Sequence, residues 1–192
     1  MILWRSNLTL DEHVLSDVIT HTKEVCLHEN GVYTSFFISN IHDRPEVKFA
    51  NQYNSIIEKA CSDMGLLHRT SYSFTHWIQV YGKGGVHDVH DHHLPQTLFS
   101  WVHFVRPTNV NCFHFIDSAG NKTYPTQEPG DFIVFPSWAQ HAVDPNETDD
   151  ERVVIAGNVS MIEMNKPAST DPLKLIINIL PNDVAVSQLI KL

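Results

Sequence analysis

The apolar residues in the first third of the chain recur at helical spacing. The first stretch predicts a helix from Thr9 to about Glu29, capped through Thr9 and Glu12 and stopped at Gly31. The second starts at Asp43–Glu46 with a proline in its first turn and ends at Gly65. The stripes that carry these predictions are Leu10, Val14, Val18 and Val25 in the first, and Phe49, Tyr53, Ile56, Ile57, Ala60 and Met64 in the second.

Beyond residue 70 the pattern changes to a period of two, which is typical of strands. Residues 71–81 alternate in this way, and the polar, glycine-containing stretch between Ile116 and Lys122 predicts a hairpin connection. Near the C-terminus an edge strand over Leu173–Leu180 and a short helix over Asp183–Leu192 both remain open. The further strands predicted are Thr97–Val105, Asn111–Ile116, Asp131–Pro136 and Arg152–Ile162.

The order of these elements predicts the fold class. Helices come first and strands follow without βαβ alternation, which indicates an α+β fold that is mainly β. Many short strands readily close as a sandwich or jelly roll. The length of 192 residues fits one domain. Within it we expect a helical part over about 1–68, a jelly-roll core over about 69–165 and a C-terminal extension over about 166–192.

The charge balance narrows the classes of partner. Twenty-two acidic residues against 13 Lys and Arg give a formal charge of -9, which repels nucleic acids and anionic membrane surfaces. The apolar runs are too short for a membrane-spanning helix, and the first residues lack an export signal. The three cysteines form no C-x-x-C pair. We therefore expect a cytoplasmic protein with no nucleic-acid partner, and a homo-oligomer is compatible with the sequence.

Histidine is the one residue type in clear excess. The chain has 13, four of them between His87 and His93. In extended backbone, residues two apart project to the same side, so Asp88, His90 and His92 share one face while Asp91 and His93 share the other. Imidazole binds Fe, Zn, Cu and Ni, and a facial triad with open positions is typical of non-haem Fe(II) oxygenases. The segment therefore predicts part of a metal site.

The third ligand must come from elsewhere in the chain. His141 is the best candidate, because it lies just beyond the apolar strand Asp131–Pro136. Arg152 follows eleven residues later at the head of the next strand. A buried arginine can grip a carboxylate with two parallel hydrogen bonds. A metal triad beside such an arginine would make a site for a carboxylate cosubstrate.

The order of these motifs resembles the 2-oxoglutarate and Fe(II)-dependent oxygenase superfamily. The chain has H-x-H, a strand, P-G-D-F-I-V-F-P-S-W-x-x-H and then R at the next strand. It resembles more narrowly the small 2OG-Fe(II) oxygenases of marine phages and bacteria, over about Thr75 to Met161. The resemblance implies a double-stranded β-helix, the cupin-like jelly roll, with the helices packed on one sheet. It also implies Fe(II), 2-oxoglutarate and O2, hydroxylation with release of succinate and CO2, and host cytoplasm if the gene is viral.

The resemblance assigns roles to particular residues. It places His90 and His92 as the paired ligands, His141 as the distal ligand and Arg152 on the far carboxylate of 2-oxoglutarate. Ser100 matches the serine of a Leu-Ser-Gly strand, whose glycine is here Trp101.

The superfamily's common triad contains a carboxylate, which this H-x-H lacks. Three triads therefore stay open: all-histidine, one with Asp88 beside His90 and His141, and one that uses Asp91 through a local kink.

The remaining candidates concern the cosubstrate and the substrate. Gln79 and Asn158 have the parity to reach a pocket and bind the cosubstrate, and His103 and His114 lie in strands that could contact substrate. The substrate is expected to be a small molecule or a peptide, prolyl peptides included, with loops Lys83–Gln96 and Asp117–Gln127 beside it. Two alternatives stay open. One is a cupin-like three-histidine dioxygenase that uses no 2-oxoglutarate, and the other is a catalytically silent jelly-roll binding or assembly module.

Overall fold

The computed structural model describes residues 1–66, 71–109, 111–162 and 188–190. Within them, α1 (Glu12–Val25) and α2 (Ala50–Asp63) are joined to the sheets through a hairpin and two short 3-10 helices, Ile41–Asp43 and Pro45–Phe49. The strands are β1 (Trp4–Asn7), β2 (Leu27–Glu29), β3 (Val32–Thr34), β4 (Ser71–Tyr81), β5 (His87–His90), β6 (Thr97–Arg106), β7 (Phe113–Ile116), β8 (Lys122–Thr123), β9 (Asp131–Pro136), β10 (His141–Val143), β11 (Arg152–Ile162) and β12 (Gln188–Ile190).

The strands form two antiparallel sheets. The larger has the order β1-β9-β6-β11-β4-β3-β2, with β12 paired to β4, and the smaller has the order β5-β10-β7-β8. The β7–β8 pair, with Phe115 opposite Thr123, confirms the predicted hairpin. Two facing sheets with helices packed on the larger one confirm the predicted α+β, mainly β sandwich.

The larger sheet is buried on both faces, which explains its uninterrupted apolar strands. In β9, Phe132 and Val134 belong to the core shared with α1 and α2, whereas Ile133 and Phe135 belong to the core between the sheets. Alternate residues of β9 therefore serve two different cores. The second core faces the smaller sheet, which carries part of the histidine segment.

Strands β4, β9 and β11 have the bounds that the sequence predicts. Two other strand predictions shift slightly, since β6 continues to Arg106 and β7 begins at Phe113. The Leu173–Leu180 prediction lies outside the described residues. A helix over Asp183–Leu192 is wrong for the described part, because Gln188–Ile190 pairs with β4 as a strand.

The predicted first helix is wrong at both ends. Asp11, not Thr9, caps α1, since its side chain accepts hydrogen bonds from the backbone N–H groups of His13 and Val14 at 3.0 Å. The helix stops at Val25, and the next residues form the β2–β3 hairpin. Asn30 and Gly31 both have positive φ, 50° and 75°. Such a pair favours a tight hairpin turn, so Gly31 turns a hairpin and does not end a helix.

The predicted second helix divides in two, because Pro45–Phe49 is 3-10 and the α-helix starts only at Ala50. Its apolar stripe is nevertheless correct, with Tyr53, Ile57 and Ala60 fully buried against the larger sheet.

No helix in the described part of the chain combines the length and the apolarity needed to cross a membrane.

Candidate active site

Three histidines converge between the two sheets. The side-chain nitrogens of His90, His92 and His141 that could bind a metal all lie within 4.8 Å of one another. Among the described residues, no other group of three or more His, Cys, Asp or Glu side chains comes as close together. β5 pairs with β10 so that His90 lies directly opposite His141. His92 follows β5, where its backbone N–H donates to the Ser137 carbonyl at 2.8 Å. Strand pairing therefore brings together residues about fifty positions apart.

Two of the rings are held in a ligand-ready tautomer. Nδ1 of His141 lies 2.8 Å from the Ala139 carbonyl, and Nδ1 of His90 lies 2.8 Å from the Asp88 carbonyl. A carbonyl can only accept, so each Nδ1 carries the hydrogen and each Nε2 keeps its lone pair. Such outer contacts orient metal-binding histidines.

Burial also keeps two of the three rings uncharged. It lowers the pKa of His141 to about 3 and that of His92 to about 4, with His90 adding to both shifts. Neutral imidazole is the form that binds a metal. His92 and His141 therefore offer neutral nitrogen donors at ordinary pH.

Neither candidate carboxylate joins the three histidines. Asp88 is exposed and contributes only its backbone carbonyl, to His90. The β5–β10 register is irregular between the His90 and His87 pairs. Such an irregularity breaks the simple alternation that placed Asp88 beside His90. Asp91 lines the cavity described below, but its carboxylate accepts from the backbone N–H of His93 at 3.0 Å.

The Arg152 side chain is buried beside two aromatic rings. Its side chain is 1% exposed, and none of its three nitrogens has an acceptor among the described residues. The guanidinium carbon lies 4.9 Å from the centroid of the Tyr81 ring and 5.9 Å from that of Phe104. Burial lowers the pKa of Arg152, while Tyr81 and Cys112 oppose that shift. A buried cation in this position calls for an anionic ligand.

One cavity of about 390 Å³ connects Arg152 with the triad. The cross-strand pairs Arg152–Tyr81 and Val154–Gln79 put four of its lining residues on one face of the larger sheet. The volume suits a small organic ligand. The apolar part of the wall includes Val102, Phe113, Phe135, Val143 and Val154.

A chain of hydrogen bonds runs along this cavity. The Tyr81 hydroxyl donates to Oε1 of Gln79 at 3.1 Å, and Nε2 of Gln79 lies 3.3 Å from Nδ1 of His87. Because an amide nitrogen donates, Nδ1 of His87 accepts. The His87 ring stacks on His90 with centroids 4.3 Å apart. Gln79 therefore lies on the cavity, as its parity predicts, between the arginine end and the histidine end.

The structure separates the other candidates from the cavity. Ser100 and Asn158 do not line it, and the Ser100 hydroxyl donates to Oδ1 of Asn158 at 2.7 Å. His103 lies on the helical side of the sheet, with Nδ1 2.8 Å from the Tyr53 hydroxyl and Nε2 2.8 Å from the Leu8 carbonyl. Burial lowers its pKa to about 4, so it is a neutral core residue.

His114 also lies away from the cavity. It is buried behind Tyr124, with Nδ1 3.4 Å from a carboxylate oxygen of Asp144.

Sequence reasoning missed two polar residues of the cavity, Tyr81 and His87. Tyr81 ends a strand whose alternation places it on the same face as Gln79, so parity could have found it. His87 has the opposite parity to His90 in a regular strand. Only the irregular register puts the two rings side by side, and no local pattern signals it.

The residues present fit Fe(II) and 2-oxoglutarate. Three imidazole nitrogen donors are a chemically suitable set for Fe(II). The unpartnered Arg152 guanidinium, at the other end of the same cavity, suits a carboxylate in bidentate geometry. A dicarboxylate that chelates the metal and reaches this arginine would satisfy both ends.

Comparison with known proteins agrees with this geometry. Residues 75–158 match the family described as "Putative 2OG-Fe(II) oxygenase". The match includes most of β4, the whole H-x-H segment, His141 and Arg152. No curated protein sequence matches the chain.

Several solved structures share the fold. An oxidoreductase of the 2OG-Fe(II) oxygenase family from Burkholderia pseudomallei is 15% identical, with a TM-score of 0.60 over 81% of this chain and 82% of its own. A prolyl-4-hydroxylase from Pseudomonas putida is 14% identical, with a TM-score of 0.59 over 82% and 91%. A prolyl hydroxylase from Trichoplax adhaerens, in complex with a hypoxia inducible factor peptide fragment, is 13% identical, with a TM-score of 0.53 over 82% of each chain. These likenesses show the oxygenase jelly roll predicted from the sequence.

Proposed function

We propose that this chain is a 2OG-Fe(II) oxygenase that hydroxylates a C–H bond of a small-molecule or peptidyl substrate. 2-Oxoglutarate and O2 are consumed in the reaction, and succinate and CO2 are released. The observation that carries the proposal is the pairing, in one cavity, of a histidine triad with a buried arginine whose nitrogens have no acceptor in the described part of the chain.

The ligands can be assigned from the tautomers. Nε2 of His90 and Nε2 of His141 face the metal position, since both Nδ1 atoms donate to backbone carbonyls. His92 supplies the third nitrogen. Fe(II) bound there, with 2-oxoglutarate, supplies the oxidising chemistry: one oxygen atom of O2 goes to the substrate and the other to succinate. The protein provides the positions and the environment.

Arg152 holds the far carboxylate of the cosubstrate. Its guanidinium can donate two parallel hydrogen bonds, and burial among Tyr81, Phe104 and Val154 keeps water from competing for them. Burial raises the pKa of the Tyr81 hydroxyl to about 12, so this group stays protonated beside the arginine. Gln79 fixes the Tyr81 hydroxyl and the His87 ring through its two amide ends.

The substrate class rests on the solved relatives and on the cavity. Two of the three structures named above are prolyl hydroxylases, and one of them is bound to a peptide fragment. The exposed residues of the cavity lining include Glu29 in the β2–β3 hairpin, Phe37 just after that hairpin and Asp91 in the histidine segment, so the cavity opens between these parts of the chain. An opening of this kind can admit a peptide side chain as well as a free metabolite.

One observation favours a second candidate. The triad contains no carboxylate, and three-histidine sites of this composition also suit cupin-like dioxygenases that use metal and O2 alone. In that reaction Arg152 would bind an anionic substrate directly. The two candidates differ in whether 2-oxoglutarate is turned over.

Succinate formation tests the proposal. The purified protein with Fe(II), O2 and 2-oxoglutarate is expected to release succinate slowly without substrate and faster with one. His92→Ala should abolish release, whereas His93→Ala, an exposed histidine of the same segment outside the cavity, should leave it unchanged. Oxygen consumption without succinate would instead support the three-histidine dioxygenase. Equal succinate from wild type and His92→Ala would contradict the proposed site.

A further inference from the structure

We propose that the substrate carries an amine or guanidinium group on an apolar stem, and that the mouth of the cavity binds this cation. The proposal rests on the function proposed above, because it concerns the same cavity. It depends on two features of the mouth: a corner of three aromatic rings, and two carboxylates that have no Lys or Arg partner in the described part of the chain.

The aromatic corner consists of Phe36, Phe37 and Trp77, all of which line the cavity. The Phe36 and Phe37 centroids are 5.2 Å apart with the rings at 89°, and the Phe36 and Trp77 centroids are 5.1 Å apart at 80°. Phe36 is 46% exposed and Phe37 is 62% exposed. The exposed Phe36 and Phe37 rings can therefore offer a face to a ligand, and Trp77, which is 5% exposed, packs behind them. A cation over such faces is attracted by the negative charge of the ring centres.

The corner is held in place by buried polar groups. Arg44, only 4% exposed, donates to the backbone carbonyls of Phe36 at 3.0 Å and Ile38 at 2.8 Å, and also to that of His76. The Ser35 hydroxyl donates to Glu46 at 2.8 Å and accepts from a backbone N–H of β4. Two large apolar side chains are thus displayed to solvent from a fixed backbone, as a preorganised binding surface requires.

The corner lies beside the metal position. The Trp77 ring is 5.8 Å from the His92 ring, centroid to centroid. Only the Trp77 ring therefore separates a group bound in the corner from His92, a candidate metal ligand. The stem of that group would then lie next to the site of oxidation.

The charged residues at the mouth of the cavity favour a positively charged ligand. Glu29 and Asp91 are exposed, line the same cavity and have no Lys or Arg partner among the described residues. Arg152, the one Lys or Arg among the described residues of the lining, is only 1% exposed. Carboxylates beside aromatic faces attract a cation and repel an anion. An uncharged apolar group would use the rings but gain nothing from the carboxylates.

The experiment compares a cationic, an apolar and an anionic probe on the protein loaded with Fe(II) in the absence of oxygen. Nα-acetyl-lysine methylamide, its norleucine analogue and its glutamate analogue are titrated by calorimetry, with and without 2-oxoglutarate. We expect the lysine probe to bind at least about tenfold tighter than the norleucine probe. The preference should shrink in high salt. A lysine-containing pentapeptide and free pentylamine distinguish a peptidyl from a small-molecule source of the cation.

Matched variants test whether the preference for the lysine probe depends on the residues at the mouth. Asp91→Asn and Glu29→Gln should each reduce the lysine preference several-fold, whereas Asp17→Asn, an exposed acid on α1 away from the cavity, should not. Phe37→Leu should weaken lysine binding, and Phe37→Tyr, which keeps an aromatic face, should restore it. Norleucine binding as tight as lysine, or no probe binding while 2-oxoglutarate still binds, would overturn the inference alone. Loss of 2-oxoglutarate binding with the lysine preference intact would overturn the proposed function alone.

Discussion

Arg152 and Arg44 are both buried arginines, yet replacing each with methionine should change stability in opposite directions. Arg152 is 1% exposed and none of its nitrogens has a described acceptor. Arg44 is 4% exposed and donates to three backbone carbonyls. Methionine is unbranched and apolar, so it fills much of the same space without the charge. Comparing the two variants therefore isolates how the missing hydrogen-bond acceptors of Arg152 change the free energy of unfolding.

The magnitudes follow from the contacts. Burying an ion costs several kcal/mol, and stacking of Arg152 on Tyr81 returns only about 0.5–2 kcal/mol. We therefore expect Arg152→Met to stabilise the ligand-free protein by about 1–3 kcal/mol. Arg44→Met removes hydrogen bonds to a charged donor and leaves buried carbonyls unpaired, which should destabilise by about 2–5 kcal/mol.

The assay is urea unfolding, with and without 2-oxoglutarate and a metal. At 100 times its Kd, a ligand stabilises the native state by about 2.7 kcal/mol. Losing the buried charge pair between Arg152 and the carboxylate of 2-oxoglutarate should cost about 3–5 kcal/mol of binding free energy. The Kd for 2-oxoglutarate should therefore rise at least about 100-fold in Arg152→Met. The same 2-oxoglutarate concentration should then stabilise that variant by about 0.4 kcal/mol or less. A destabilised Arg152→Met that still responds to 2-oxoglutarate like wild type would refute the reasoning.

Three further predictions concern the scaffold. Gly157→Ala should lower the melting temperature sharply. The added Cβ would lie 2.1 Å from a backbone carbonyl oxygen and 2.6 Å from the Trp101 ring. A melting temperature near that of wild type would contradict this packing. Burial raises the pKa of Glu46 to about 7, so the folded state binds its proton more tightly than the unfolded state. Stability from this group is then greatest at low pH and falls, by roughly 3 kcal/mol in all, as pH rises through 7. Urea titrations at pH 5 and 8 should show a smaller difference in Glu46→Gln than in wild type, and an unchanged difference would refute the shift. Tyr53→Phe should cost about 1–3 kcal/mol by leaving Nδ1 of buried His103 without its 2.8 Å partner, and a neutral change would place that hydrogen bond in doubt.

The strands at the centre of the fold could be predicted from the sequence because they satisfy local rules. β9 and β11 are apolar on both faces and bounded by turn residues, so their limits match the structure. β1 and β10 have only four and three residues, too few for a periodic pattern. The β2–β3 hairpin was missed because Gly31 serves equally well to stop a helix or to turn a hairpin.

The candidate site was predictable in its members but not in its arrangement. Strand alternation places His103 and Arg152 on opposite faces of one sheet only once the pairing of β6 with β11 is known. The sequence alone does not say which face meets the helices and which meets the smaller sheet. The placement of Asp88 away from the triad depends likewise on a register irregularity in β5. The face on which Arg152 lies and the position of Asp88 both depend on long-range strand pairing, which no local pattern in the sequence encodes.

Binding of Fe(II) and 2-oxoglutarate in one cavity is the central claim, and an anaerobic absorbance titration tests it most directly. Metal-free protein is titrated with Fe(II) and then with 2-oxoglutarate, with His141→Ala, Arg152→Met and His93→Ala in parallel. We expect a visible metal-to-ligand band in wild type and His93→Ala, no band in His141→Ala and a weakened band in Arg152→Met. Iron binding by wild type without such a band would contradict the account.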